Sequence, residues 1–139
     1  MRTGVHRVSV HVYFEDTDAC GIVYYANYLR YAERARSEMF RRFGIISSDM
    51  IQNMGIALVV RHCNIDDWMP AKLDDVLIVD SEIKKIGGAS KEIFQIIKKQ
   101  ERKLVGIDVR LGCVNLSNNK PFRLPELIRS VQKTELLKN

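Results

Sequence analysis

Three carboxylates stand close together near the start of the chain, in the stretch VYFEDTDACGIVYYANYLRYAERAR over residues 12–36. Glu15, Asp16 and Asp18 lie where a strand-like run gives way to a helix-like one, and Gly21 permits close backbone approach. A carboxylate at such a boundary can act as a base or nucleophile toward a carbonyl, because the helix N–H groups can polarise the carbonyl oxygen. The same acids are also common in turns and N-caps, so the pattern leaves a surface corner and a catalytic site both open.

Other side chains with chemical potential are scattered along the sequence. Cys20 suggests a nucleophile, but a reactive thiolate normally has a histidine partner, and His6, His11 and His62 form no cluster with it. Glu33 is a second carboxylate candidate, or else a solvated helix residue paired with a neighbouring arginine. Metal-ligand spacing, a phosphate loop and a dinucleotide motif are absent, so the sequence predicts metal-free, cofactor-free chemistry or plain binding.

The composition is that of one globular domain covering residues 1–139, with 46% hydrophobic and 28% charged residues. The sequence has no run of about 18 apolar residues and no secretory signal pattern, and its three cysteines form no C-x-x-C pair. These features predict a cytoplasmic protein without a membrane span. The net charge of +5 fits a solvated surface first and attraction to a phosphate-bearing cofactor or an acidic carrier protein second. Nucleic acid is not expected, because no nucleic-acid-binding motif accompanies the charge.

The hydrophobic pattern changes period along the chain. Residues 5–14 alternate and predict a strand with Phe14 on its apolar face, whereas residues 24–43 repeat at steps of three or four and predict a long helix ended by Gly44. A short helix near residues 47–55 and four strands between residues 56 and 116 follow, and the residues after Pro125 predict a terminal helix. Connections too short for crossover helices make the sheet mostly antiparallel. The predicted class is α+β, with a curved sheet wrapped around the long helix.

A group of lysines lies on the third and fourth of these strands. Lys84, Lys85 and Lys91 are its first members. Such residues usually form the solvated face of a sheet, but they could also meet the phosphates of a nucleotide outside an apolar pocket.

Residues 12–36 resemble the signature of the 4-hydroxybenzoyl-CoA thioesterase family, which reads D-x-D, two small residues, Gly-[IV]-V, two aromatics, x-N-Y and E-x-A-R. The resemblance continues in VVRHCNIDDWMPAKLDD and ends in the Lys-Pro and Leu-Pro steps near residues 120–125. It is nearest to the short acyl-CoA thioesterases associated with the Tol-Pal gene cluster of Gram-negative bacteria. The resemblance implies a hot-dog fold, assembly as a homodimer or homotetramer, and hydrolysis of acyl-CoA to free acid and CoA. An acyl carrier protein is a further potential partner.

The resemblance also implies roles for particular residues. Asp18 would activate water or attack the thioester directly, and the backbone N–H near Tyr25 would stabilise the oxyanion. The Tol-Pal branch usually carries His at the position of Tyr25 and Tyr at the position of Phe14, which bears on the substrate range. The remaining residues that the resemblance assigns to substrate binding or to orienting the site are Asp16, Thr17, Gly21, Asn27, Tyr28 and Arg61. Lys84, Lys85 and Lys91 join the substrate-binding candidates because of their charge, as ligands for nucleotide phosphates.

Two functions of different classes remain as alternatives. The first is the thioesterase, and the second is a non-catalytic module of the same fold that binds acyl-CoA or an acyl carrier protein. The D-x-D motif beside Gly21 favours the enzyme, because a pure binder gains nothing from a carboxylate directed at the thioester. A hot-dog hydratase would require a histidine that this motif lacks.

Overall fold

The structure, a computed structural model, describes residues 5–126 and consists of one long helix and a six-stranded antiparallel sheet. The helices are α1 (Tyr25–Arg42) and α2 (Ser47–Asp49), and α2 continues as a single π-helical turn (Met50–Met54). The strands are β1 (Val5–His11), β2 (Ile56–Asp67), β3 (Val76–Ile86), β4 (Ser90–Lys99), β5 (Arg102–Asn115) and β6 (Lys120–Pro121). The predicted terminal helix lies outside the described residues.

Helix α1 packs one wide face against the sheet, as its apolar period predicts. Ala32 and Ala35 are fully buried at the centre of this face, where small side chains let the helix approach the strands closely. Tyr28, Tyr31 and Met39 extend the buried face along the helix. The helix ends at Arg42, and the predicted stop residue Gly44 follows in the left-handed conformation, with the Ile45 N–H donating back to the Phe40 carbonyl.

The main sheet has the strand order β1-β3-β4-β5-β2, and every pairing in it is antiparallel. Strand β6 pairs with the end of β5. Register shifts interrupt the pairing of β2 with β5, of β3 with β4 and of β4 with β5, and such irregularities bend strands and increase their twist. A long helix held on one face of this sheet is the hot-dog fold, so the predicted fold class is confirmed.

The sheet face toward α1 carries most of the core. The five inward residues predicted for β5 are all buried, and they are Val105, Ile107, Val109, Leu111 and Cys113. Each large apolar side chain buried in this way contributes about 1.5–3 kcal/mol to folding.

Two predictions about side-chain placement are wrong. Phe14 does not lie on the inner face of a strand, because β1 ends at His11 and the chain turns through a 3-10 segment (Phe14–Asp16) that leaves Phe14 79% exposed. Lys91 does not lie on the solvated face. It belongs to the alternating set of β4 residues that point toward α1, and its side chain is 1% exposed.

In the part of the chain that the structure describes, no helix is long and apolar enough to cross a membrane.

Candidate active site

The D-x-D motif forms a closed turn around the carboxylate of Asp18. Oδ1 of Asp18 accepts hydrogen bonds from the N–H groups of Cys20 (2.8 Å) and Ile22 (3.2 Å). The turn needs Gly21, whose φ of +76° lies in the left-handed region that other L-residues rarely adopt. Asp18 is exposed, and Oδ2 accepts no hydrogen bond from the described residues. The turn therefore fixes one carboxylate oxygen and leaves the other available for chemistry.

Helix α1 begins beside this turn. Tyr25 is its first residue, and its backbone N–H has no hydrogen-bond partner among the described residues, as expected for the first turn of a helix. The side chain of Tyr25 is half exposed. The helix N-terminus thus presents a free donor and positive potential next to the carboxylate turn.

Asp16 and Asn27 hold the helix start against the turn. The Asp16 carbonyl accepts hydrogen bonds from the Asn27 Nδ2 group and from the Tyr24 N–H, both at 2.9 Å. The Asp16 carboxylate accepts the Tyr13 N–H at 3.0 Å. Asn27 is buried, so Asp16 and Asn27 position the helix rather than offer groups to a ligand. Both residues therefore act on the site through its geometry.

The hydroxyl groups of Tyr28 and Thr17 also hold the framework, whereas the buried Tyr31 hydroxyl has no hydrogen-bond partner among the described residues. The buried Tyr28 hydroxyl accepts the Ala71 N–H at 3.0 Å, and burial raises the pKa of Tyr28. Burial and the nearby Asp16 carboxylate raise the pKa of Tyr31. Thr17 donates its hydroxyl to the Phe14 carbonyl.

The backbone of residues 71–75 forms hydrogen bonds with the turn. The Leu73 N–H donates to the Gly21 carbonyl, and the Val23 N–H donates to the Ala71 carbonyl, both at 2.9 Å. The Asp75 carboxylate accepts the Lys72 N–H and forms an ion pair with Lys99 at 2.9 Å. Burial raises the pKa of Asp75, but these two partners outweigh it and lower the pKa overall. The sequence reasoning gave this segment no role. The sequence pattern that could have indicated a role for this segment is P-A-x-L-D-D, which begins shortly after β2.

Four aromatic side chains next to the turn are exposed. Tyr13, Phe14, Tyr24 and Tyr25 immediately precede or follow residues 15–23, and each is at least half exposed. Exposed apolar surface of this kind normally marks a place where a ligand or another protein binds.

The predicted cationic residues do not join Asp18 within one chain. Arg61 is the extra residue of the register shift in β2, and it lies across Gly112, where an added Cβ would come within 2.8 Å of the Arg61 Nε atom. Lys84 and Lys85 are exposed at the end of β3 that is remote from the turn. Lys84 is eight residues beyond Val76, the start of β3, which is about 26 Å along an extended strand.

Lys91 cannot contact a surface phosphate from its observed position. Its ammonium group lies 3.7 Å from the centre of the Phe40 ring and has no hydrogen-bond partner among the described residues. Burial lowers the pKa of Lys91 to about 7. We therefore leave Lys91 out of the site.

The remaining candidate residues do not add a reactive group to the turn. Cys20 is exposed and contributes its backbone N–H to Asp18, and Glu33 is exposed on α1. Within residues 5–126, no three His, Cys, Asp or Glu side chains are arranged to hold a metal ion.

A long helix wrapped by an antiparallel sheet, with a carboxylate turn at the helix N-terminus, defines a hot-dog protein. The model of the thioesterase-like superfamily matches residues 12–132, and the chain belongs to this family. The family resemblance predicted from the sequence is thereby confirmed.

Individual relatives cover nearly the whole chain. It is 39% identical over 129 residues to "Acyl-CoA thioester hydrolase YbgC" of Escherichia coli O6:H1, covering 92% of this chain and 96% of the relative. It is 36% identical over 121 residues to "Acyl-CoA thioesterase YbgC" of Haemophilus influenzae, covering 87% and 89%. A probable thioesterase from Bartonella henselae, of known crystal structure, superposes with a TM-score of 0.83 at 35% identity, covering 87% of this chain and 99% of that one.

Proposed function

We propose that this protein hydrolyses acyl-CoA thioesters to a free acid and CoA. The observation that carries the proposal is the Asp18 carboxylate, held by two N–H groups in a turn that abuts the N-terminus of α1. The names of the two YbgC relatives support acyl-CoA as the substrate class.

Asp18 is the reacting carboxylate in this proposal. Because Oδ1 is committed to the backbone of its own turn, Oδ2 is the oxygen that faces the chemistry. It either takes a proton from the attacking water, or attacks the thioester carbon and forms an anhydride that water then hydrolyses. Both routes release the CoA thiol and consume one water molecule.

The Tyr25 N–H is the proposed oxyanion donor. A backbone donor at a helix N-terminus needs no reorganisation when negative charge develops on the thioester oxygen. The role belongs to the main chain, so it does not require the histidine side chain that the resemblance associates with this position.

A second copy of the chain would complete the site. Strand β2 is the last strand of the sheet order, and its inward residue Val60 is half exposed. Antiparallel pairing of two β2 strands about a two-fold axis would place the remote end of one sheet beside the Asp18 turn of the other. This arrangement explains why Arg61, Lys84 and Lys85 lie far from Asp18 within one chain. We therefore propose a homodimer, alone or paired into a tetramer, whose cations bind the CoA phosphates.

The exposed aromatic side chains would line the acyl pocket between the two copies. An acyl carrier protein presents the same thioester as acyl-CoA, so it is a second proposed donor of the acyl group. Cytoplasmic location and a single domain over residues 1–139 are part of the same proposal.

The decisive experiment measures thiol release from short, long and aromatic acyl-CoAs by the wild type and by Asp18→Asn. Loss of the carboxylate is expected to reduce kcat/KM by about 10²–10⁴-fold on every substrate that the wild type hydrolyses. Asp108→Asn is the matched control, because Asp108 is exposed on the outer face of β5 and has no role in the site. Equal activity of Asp18→Asn and wild type would remove Asp18 from the mechanism.

The same panel separates the enzyme from a binding module. Wild-type protein that binds acyl-CoA but releases no thiol from any substrate would favour the non-catalytic alternative.

Single-turnover hydrolysis in ¹⁸O-labelled water distinguishes the two routes through Asp18. Incorporation of the label into Asp18 itself requires an anhydride, whereas label found only in the released acid favours direct attack by water.

A further inference from the structure

A cationic cleft lies between β1 and α1, away from the carboxylate turn. It has a volume of about 620 Å³ and is lined by His6 and Arg7 from β1 and by Arg34, Glu38, Arg41 and Arg42 from α1. We call it the β1–α1 cleft.

The positive charge of this cleft is largely uncompensated. Among the described residues, no carboxylate forms an ion pair with Arg34, Arg41 or Arg42. Of the described residues, Glu38 is the only acid in the lining. Arg7 differs, because Asp80 binds it at 2.7 and 2.9 Å and raises its pKa. Three free guanidinium groups therefore share one cleft with one carboxylate.

His6 lies in the lining together with Arg42 and reports on the charge of the cleft. Burial and the charge of Arg42 lower the pKa of His6, against a smaller opposite effect of Glu38. An anion in the cleft would offset the charge of the arginines and raise the pKa of His6.

The favourable interaction of arginines with the helix dipole explains only part of this cluster. Arg41 and Arg42 lie in the last turn of α1, where positive charge offsets the negative end of the dipole. Arg34 lies two turns earlier, where that effect has faded, and yet it lines the same cleft.

The cleft is separate from the proposed thioesterase site. Arg42 is 17 residues beyond Tyr25, which corresponds to about 25 Å along the helix. Strand β1 is the opposite edge of the sheet from β2, so a dimer formed through β2 leaves the β1–α1 cleft open.

We propose that the β1–α1 cleft binds a phosphoryl group, with Arg34, Arg41 and Arg42 as its charged ligands. Phosphate oxygens match the planar fork of guanidinium groups, and several arginines on one face favour a multiply charged anion over a single carboxylate. Arg34 and Arg41 are seven residues apart, about 10 Å along the axis, so a ligand carrying two phosphoryl groups can reach both. The group could belong to a free phosphorylated molecule or to a phospholipid headgroup.

Binding of pyrophosphate to the full-length protein tests the site. Each contact between a guanidinium and a phosphate contributes about 1.5–3 kcal/mol, so Arg34→Gln and Arg42→Gln are each expected to weaken binding by about tenfold or more in calorimetry. Arg110→Gln is the matched control, because Arg110 is an exposed arginine on the outer face of β5. It is expected to bind as the wild type does. Equal weakening in all three variants, or no saturable binding up to about 10 mM, would overturn the proposal.

The three histidines distinguish binding at a defined site from non-specific binding of the anion over the whole surface. In an NMR titration, pyrophosphate is expected to raise the pKa of His6, which lines the cleft, and to leave the ring chemical shifts of His11 and His62 where they are. An equal response of all three histidines would refute a defined site. Arg42→Gln should raise the pKa of His6 even without ligand, because the charge of Arg42 contributes to lowering it.

Vesicles distinguish the two sources of the phosphoryl group. Co-sedimentation with phosphatidylcholine vesicles that contain phosphatidic acid, reversed by pyrophosphate and lost in Arg34→Gln, would support a headgroup. Pyrophosphate binding without vesicle binding would support a free ligand. Vesicle binding that Arg34→Gln leaves intact would place the membrane contact elsewhere and count against the site. None of these measurements depends on thioesterase activity.

Discussion

Replacement of Lys91 by methionine is predicted to stabilise the protein near neutral pH. Lys91 is 1% exposed and packs over the Phe40 ring, and its burial lowers its pKa from 10.5 to about 7. The unfolded chain therefore binds this proton more tightly than the folded one. The resulting penalty to folding is fully present below pH 7, shrinks as the pH rises toward 10.5, and is absent above that.

The size of the penalty follows from the same pKa values. A difference of about 3.5 pH units at about 1.4 kcal/mol per unit corresponds to about 5 kcal/mol. Methionine has nearly the same volume and no charge, so Lys91→Met is expected to gain about 4 kcal/mol at pH 7 and little at pH 10.5.

Urea unfolding of wild type and Lys91→Met at a series of pH values measures this effect. Other groups titrate over the same range in both proteins, so the difference between the two free energies of unfolding isolates Lys91. A difference that does not change with pH, or a variant less stable than the wild type at pH 7, would refute a folded-state pKa of Lys91 below the ordinary value. A constant gain would show that Lys91 is charged in the folded protein throughout, with its pKa near the ordinary value.

Three further substitutions test the framework of the site by urea unfolding. Tyr28→Phe leaves the Ala71 N–H without its acceptor and is expected to cost about 1–3 kcal/mol; no loss would mean that water replaces the hydroxyl. Gln95→Leu removes the amide oxygen that binds the buried Arg36 at 2.9 Å and is expected to cost about 3–5 kcal/mol. Adding Arg36→Met is expected to recover part of this, because the Ala32 carbonyl and the Ser81 hydroxyl still lack their Gln95 donor. Gly21→Ala has space for its methyl group but a φ of +76°, so a loss of about 1–2 kcal/mol is expected from strain alone.

The sequence predicted the helix and the strands well because their periods are strong. The spacing of apolar residues located α1 within one residue at each end, and strict alternation identified the inward side chains of β5. Both signals come from a single element that is apolar on one side only, so neither depends on knowledge of its neighbours.

The prediction failed where the pattern of one element is ambiguous. Strand β4 has apolar residues on both faces, with Phe94 and Ile96 on one side and Ile93 and Ile97 on the other. Pairing with β3 and β5 selects Ile93 and Ile97 as the inner pair, and Lys91 is carried inward with them. No local signal shows this, because the choice depends on the register of strands that are distant in sequence.

The candidate site was predictable as far as it depends on a short segment. The turn that holds Asp18 and the start of α1 lie within eight residues, from 18 to 25, so a motif can specify them together. The cationic residues are different, because strand pairing places Arg61, Lys84 and Lys85 at the far end of the sheet. In the proposed homodimer their relation to Asp18 would be a property of the assembly, which a single-chain pattern does not encode.

The two edges of the sheet have different surfaces, and this difference supports separate uses for them. Strand β2 is twelve residues long and leaves an apolar inward residue, Val60, half exposed, which suits pairing with an identical strand. Strand β1 is shorter and faces a row of arginines on α1, which would repel the same surface of a second copy. In the proposed homodimer, charge repulsion at β1 and exposed apolar surface at β2 would together direct assembly to β2. The same arginines that disfavour pairing at β1 leave its cleft accessible to an anion.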